Sequence, residues 1–321
     1  MRLKFVAITM GMLGISAIAS AVSVETAAAQ APQRYVRFSQ GNGEIRWGHL
    51  AGDVIHPLTD APYLGGTMTG ENVQRNMVKL EAPVDPQLVV MTALNFRSHL
   101  GNGIPAPYPG LFIVPAASII GPEDNMVKPA DSNNFHYEAE MVAVIGRRAE
   151  NVSVEDASDY VFGISAGNDG SARDWQGADL QWARAKGTKT FNAVGPVLVT
   201  GLDYANLDIE GRLAGERVQG ENSSDMIFSM DEMISYISHH FPLEPGDLVW
   251  TGTMGQTRRW NVGQVFESEV EGVGILRTTL VEGPALPTLP KFERQRSENE
   301  RLTAEAEARR AAQPAATPGG R

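Results

Sequence analysis

Hydrophobic and polar residues alternate with a period of two in three short segments, RYVRF (34–38), EIRWGHL (44–50) and DVIHPL (53–58). Side chains two apart on a strand share a face, so each segment reads as a half-buried strand. GNG at 41–43 and AGD at 51–53 supply turns between them, and the three predict a small antiparallel meander. After a turn-rich stretch, QLVVMTAL (87–94) is apolar throughout, the pattern of a buried strand. From 111 to 285 the chain is mostly β in pattern: LFIVP, EMVAVIG, YVFGISAGND, VGPVLVT, LVWTGT, QVFESEV and GVGILRTTLVE. Helical signals are few. SVEDASDYV (153–161) opens on Ser153 as an N-cap, SARDWQGADLQWAR (171–184) has a mixed face, and DEMISYISHH (231–240) puts Met233, Ile234, Ile237 and Phe241 near helical spacing. Many strands with scattered helices predict a β-rich α+β fold.

The two ends differ from this middle. Arg2 and Lys4 precede an apolar run from Phe5 to about Ala19, and Ala-x-Ala steps follow at 19–21 and 29–31. That layout predicts a secretory leader over 1–31, with an uncleaved anchor as the alternative. No other segment reaches spanning length, so the expectation is an exported protein, periplasmic or secreted, without stable membrane insertion once the leader is cleaved. From 286 to 321 the chain is charged, alanine-rich and ends in Pro and Gly. A helix over 297–312 would lack an apolar stripe, so this tail is expected to be disordered or a frayed helix. Between the ends, 32–90 reads as a small N-terminal β subdomain and 91–285 as the main domain. The 321-residue chain carries a net charge of −11 and no cysteine. Nucleic acid is therefore not an expected partner. Disulfides, thiolate nucleophiles and Cys-ligated zinc are excluded.

Candidate chemistry begins at FHYEAEMVAVIG (135–146). Glu138 and Glu140 lie two apart and project to one face of a strand. A solvated strand end and two legs of a cation site both fit that pattern. Buried together, two carboxylates would repel unless a cation compensated them. In GISAGNDGSARDWQ (163–176) Asp169 falls at a strand–helix junction, with Arg173 and Gln176 on one helical face. Three oxygen donors favour Mg²⁺ or Mn²⁺, with Ca²⁺ admitted by the same set. Lys186 and Lys189 lie in AKGTKTFNAVGP (185–196), and PGDLVWTGTMG (245–255) ends a strand in Thr251-Gly252-Thr253.

Taken in order, ALNFRSHLGNG, YEAEMVAVIG, NDGSARDWQ, KGTKTFNAVGP, PGDLVWTGT and VEGVGILRTTL resemble the fumarylacetoacetate hydrolase family, from about residue 34 to 283. The resemblance implies a mixed β-sandwich or β-roll fold, a homodimer, and one divalent metal on Glu138, Glu140 and Asp169. It further implies His99 and Lys189 as catalytic residues, and Arg173, Gln176, Thr251, Gly252 and Thr253 as substrate-binding residues. The implied substrate is a small oxo-acid. The implied reaction is metal-dependent hydrolysis of a C–C bond in an acylpyruvate-like or fumarylacetoacetate-like compound. Decarboxylation, isomerisation or hydration, or binding without turnover, are the alternatives.

Three positions depart from the family pattern. Asn102 stands where a glutamate follows the histidine, Val114 where a lysine is usual, and Met254 where a proline is usual. His136 reads as a strand-end residue, His239 and His240 as helix-end residues, and Trp175 and Trp182 as packing.

Overall fold

The computed structural model describes residues 31–41, 43–285, 297–298 and 300–305. The leader expected over 1–31 lies outside the described residues except for Ala31, and so does most of the tail. The described tail residues are helical and exposed. Among the described residues no helix is long and apolar enough to cross a membrane.

A twelve-stranded sheet forms the larger layer. Its path runs Val73–Gln74, Val54–Pro57, Ile45–Ala51, Gln33–Ser39, Asn192–Thr200, Val161–Asp169, Ala139–Ile145, Leu248–Trp250, Val89–Ala93 and Gly110–Val114. The predicted meander is present, but it is not a sheet of its own. Gln33–Ser39 pairs antiparallel with Asn192–Thr200, so the meander extends the central sheet. A five-stranded sheet packs over the middle strands, in the order Glu216–Asn222, Asp208–Leu213, Val265–Val270, Gly274–Glu282 and Asn125–Lys128. With few and short helices, the fold is β-rich α+β.

The Ala139–Ile145 strand shows why its sequence is apolar throughout. Met141, Ala143 and Ile145 pack on one side with Phe266, Leu276 and Leu280. Val142 and Val144 pack on the other with Met91, Leu198 and Trp250. A strand covered on both faces has no polar alternation to keep. Opposite it, Gly167 pairs with Glu140, and a Cβ at Gly167 would lie 2.4 Å from the Trp250 ring. Gly167→Ala is therefore expected to cost about 1–3 kcal/mol, measured by chemical denaturation. Gly177→Ala, with nothing within 4 Å of the added carbon, is the control.

Two local expectations change. The 153–161 stretch forms a 3-10 turn, Ala157–Tyr160, while Ser153 Oγ accepts from the Asp156 N–H at 3.2 Å. The 171–184 stretch splits into two short helices, Arg173–Ala178 and Ala183–Gly187. Its linker has no apolar stripe to bury: Leu180 is 95% exposed. Helix Met230–Ser238 follows its spacing, and Ser229 and Glu232 close a capping box.

Candidate metal and acid–base site

The carboxylates meet because of strand register. Ala139–Ile145 and Val161–Asp169 are antiparallel with Ala139 opposite Asn168, so Glu138 and Asp169 arrive at the same sheet end. The Asp169 N–H donates to the Glu138 carbonyl at 3.0 Å. The Asn168 side chain accepts from the Glu138 N–H at 3.1 Å and donates to Thr278 at 3.0 Å, fixing the turn from both sheets. Glu140 follows on the same face, as the period of two requires. All three side chains are buried, and one oxygen from each lies within 4.8 Å of the others.

Two cations enter this cluster. Lys186 Nζ donates to Glu138 Oε2 and Asp169 Oδ2, both at 2.5 Å. Arg173 donates to Glu138 Oε1, to Gln176 at 2.7 Å and to Thr257 at 3.0 Å. Burial alone would raise the Glu138 carboxyl, but the Arg173 and Lys186 charges hold it well below the usual carboxylate range. Burial beside Asp169 and Glu138 lifts Glu140 well above that range. Asp169 is pushed up to about 7 by burial, against the pull of Lys186 and with the push of Glu138. Burial would lower Lys186, but Asp169 and Glu138 outweigh it and keep the ammonium charged. The raised Glu140 and Asp169 carboxyls show that Lys186 and Arg173 do not compensate three ionised carboxylates. Asp169 Oδ1 is buried without a hydrogen-bond partner. Hard oxygen donors, an orphaned carboxylate oxygen and carboxyls that lack a compensating charge all fit a divalent cation held by Glu138, Glu140 and Asp169.

His99 stands at the rim on the short helix Arg97–Leu100. Its Nδ1 lies 2.6 Å from the Gly255 carbonyl oxygen. A carbonyl only accepts, so Nδ1 carries the proton and Nε2 of the neutral ring is the free base. Nε2 faces the cluster, 3.9 Å from Glu138 Oε1. Asn102 is exposed in the following loop. A backbone carbonyl thus orients the imidazole where the family pattern has a glutamate. His99, Glu138, Asp169, Arg173, Gln176, Lys186 and Thr253 all line one cavity of about 40 Å³. About 10–15 Å³ of such space holds one water, so the cavity accepts only a small polar head group.

Several expected roles change. Lys189 is exposed and does not line the cavity; Lys186, on the Ala183–Gly187 helix, holds the position expected for it. The Asn192 side chain anchors that helix by donating to the Lys186 carbonyl at 2.9 Å. Thr251 faces the core, where its hydroxyl lies 3.1 Å from the Met141 N–H and carbonyl, so it does not reach a substrate. Gly252 donates its N–H to Glu140 Oε2 at 2.8 Å and so positions a carboxylate rather than a substrate. A side chain there would strike the Thr92 carbonyl at 2.6 Å, and its φ of 78° also favours glycine. Thr253 lines the cavity while its hydroxyl donates to the Ala139 carbonyl at 2.9 Å. Val114 is buried beneath Gly187 and does not face the cavity. Met254 is fully buried. His239 donates to the Ser235 carbonyl at a helix end, and His240 packs edge-on to Tyr236.

Two supporting residues escaped sequence reasoning. Gln219 is buried and ties three segments together. It accepts from the Ala139 N–H at 3.1 Å and donates to Thr253 at 2.8 Å and to the Met254 carbonyl at 2.6 Å. It sits on a hairpin, Asp208–Leu213 and Glu216–Asn222, whose turn has positive φ at Ala214 and Gly215. The alternation in DIEGRL followed by Ala-Gly was the available signal. Thr257 is the other: it joins Arg173 to His136 Nδ1, 2.9 Å away, and His136 Nε2 meets Asn134 at 2.9 Å. Burial, with help from Arg173, lowers His136 to about 4 and keeps it neutral in this relay.

Residues 88–281 match the family model described as fumarylacetoacetate (FAA) hydrolase, C-terminal, and residues 33–83 match one described as Rv2993c-like, N-terminal. The mitochondrial oxaloacetate tautomerase fahd2 of Xenopus laevis is 35% identical over 224 residues, 65% of this chain and 70% of that protein. The solved 5-carboxymethyl-2-hydroxymuconate delta-isomerase of Mycobacterium smegmatis has a TM-score of 0.74 at 30% identity, covering 78% of this chain and 100% of that one. Maleylpyruvate hydrolase from Sphingobium sp. SYK-6 has a TM-score of 0.65 at 25% identity, with the same coverage.

Proposed function

From the membership of this chain in the fumarylacetoacetate hydrolase family, we propose that it is a divalent-metal-dependent enzyme that moves a proton beside the carbonyl of a small 2-oxo acid, as a tautomerase or isomerase. The observation that carries this reading is the free Nε2 of His99, aimed at the carboxylate cluster. One base that takes and returns a proton suffices for enolisation. The names of the tautomerase and isomerase relatives support the same choice.

A cation on Glu138, Glu140 and Asp169 supplies Lewis-acid polarisation of the substrate carbonyl. His99 Nε2 removes the proton from the carbon next to that carbonyl and delivers it back at the same or a conjugated carbon. The Gly255 carbonyl keeps the imidazole in the required tautomer throughout. Lys186 and Arg173 place two positive charges at the cavity wall, where charge develops on the substrate oxygen and where its carboxylate binds. Thr257 and Gln176 hold the Arg173 guanidinium in place. Phe112 and Trp182 cover the mouth beside Lys186 and limit water.

The test is exchange of the C3 protons of 2-oxobutyrate with D₂O, followed by NMR in the presence of Mg²⁺ or Mn²⁺. His99→Gln is expected to lower the exchange rate by about 10²–10⁴ while leaving cation binding intact. An unchanged rate in His99→Gln would remove His99 as the base. C–C hydrolysis is read separately, as release of two acids from an acylpyruvate. Cleavage without C3 exchange would replace proton transfer with water attack at the same site.

A further inference from the structure

A second, larger space adjoins the carboxylate cavity, and the two share Ala93, Phe112 and Trp182. The Phe112 and Trp182 rings meet edge to face at 5.3 Å and form the sill between them. Beyond the sill lies a recess of about 230 Å³, walled further by Leu111 and Leu180. None of the residues lining it is charged. The cations nearby are committed elsewhere. Lys186 and Arg173 face the carboxylates, and Arg184 pairs with Asp179 at 2.6 Å and lies over the Trp175 ring.

Two leucines at this mouth are held against their preferences. Leu180 is 95% exposed. Leu94, which lines the carboxylate cavity, is 48% exposed and has a φ of 56°, a left-handed conformation that leucine rarely adopts. The next residue enforces it. Asn95 is buried, donates to the Thr251 and Phe228 carbonyls at 3.0 Å, and accepts from the Phe228 N–H at 2.8 Å. Strained backbone at the polar cavity and exposed apolar surface in the recess beside it indicate surface kept for a ligand.

We infer that this recess is the subsite for the far end of the substrate, and that the substrate is a 2-oxo acid with an uncharged apolar tail rather than a second carboxylate. The inference rests on the proposed reading of the carboxylate cavity as the head-group site. The head binds among Arg173, Lys186 and the carboxylate-held cation. The tail crosses the Phe112–Trp182 sill and lies against Leu111 and Leu180. A dicarboxylate tail would lose its hydration there with no cation to meet it.

Calorimetry on the Mn²⁺-loaded full chain tests this with three probes that share one head: oxamate, N-butyl oxamate and N-(2-carboxyethyl) oxamate. N-Butyl oxamate is expected to bind about tenfold or more tighter than oxamate, since each buried methylene contributes about fourfold. N-(2-Carboxyethyl) oxamate is expected to bind no tighter than oxamate. Leu180→Asp, on an exposed side chain whose loss does not threaten folding, is expected to lower the butyl-to-oxamate affinity ratio at least threefold. Leu180→Lys is expected to favour the carboxyethyl compound. Oxamate binding with no gain from the butyl group, or a gain untouched by both Leu180 variants, overturns the tail subsite alone. Failure of oxamate itself to bind overturns the head-group reading and the subsite with it.

Discussion

Lys186→Met is expected to destabilise the metal-free protein by about 3–5 kcal/mol, the cost of leaving buried charge unpaired. The ammonium bonds Glu138 and Asp169 in a region with almost no solvent, and its loss leaves Glu138 with Arg173 and takes the cationic partner from Asp169. Saturating Mn²⁺ should recover part of that stability, because the cation enters the same group of carboxylates. Activity should not recover with it, since the charge that meets the substrate oxygen is gone. Lys189→Met, at an exposed position, should stay within about 0.5 kcal/mol of wild type. Denaturation of both variants with and without Mn²⁺ decides the matter. A larger effect at Lys189 than at Lys186 would overturn the assignment of the buried lysine.

The second large effect concerns the carboxylates. Asp169→Asn keeps the shape of the side chain and removes a buried carboxyl whose charged form burial disfavours. The amide oxygen still accepts from Lys186 Nζ, and the charge that burial disfavours at this position is gone. The metal-free variant should therefore be more stable than wild type by roughly 1–3 kcal/mol, the scale of one to two pKa units of relief. Its response to cation should disappear. Wild type at 100 times the dissociation constant gains about 2.7 kcal/mol from a bound ion, and the variant should gain almost none. C3 exchange should fall with the ion. Thermal denaturation with and without Mn²⁺ measures both changes. A variant destabilised without metal, yet stabilised by Mn²⁺ as much as wild type, would mean that the three carboxylates do not form one cation site.

How much of this was legible in the sequence depended on how local each cause was. Period-two alternation marked the meander and most of the central strands, because burial on one or both faces acts residue by residue. Glu138 and Glu140 were legible as a same-face pair, and Asp169, Arg173 and Gln176 as a strand–helix junction. Lys186 and Lys189 were not separable on charge alone. What buries one and exposes the other is the Ala183–Gly187 helix, anchored by Asn192, and two acidic partners 17 and 48 residues away. Thr251 and Thr253 look equivalent in Thr-Gly-Thr, yet the first hydroxyl is used by the Met141 backbone and only the second side chain reaches the cavity wall. Asn102 and Val114 looked like losses from the acid–base half. One is exposed and the other is core, so neither position contributes a side chain to the cavity. The Gly255 carbonyl that sets the His99 tautomer lies 156 residues along the chain, and backbone acceptors leave no mark in a sequence.

We propose that one divalent cation on Glu138, Glu140 and Asp169 makes this cavity an enolising site. Electron paramagnetic resonance of Mn²⁺ titrated into metal-stripped protein tests it most directly. One saturable Mn²⁺ per chain is expected, with a change in its spectrum on adding oxamate, and loss of both in Glu140→Gln and Asp169→Asn. Absence of saturable binding, or Mn²⁺ binding that survives both substitutions unchanged, would contradict it.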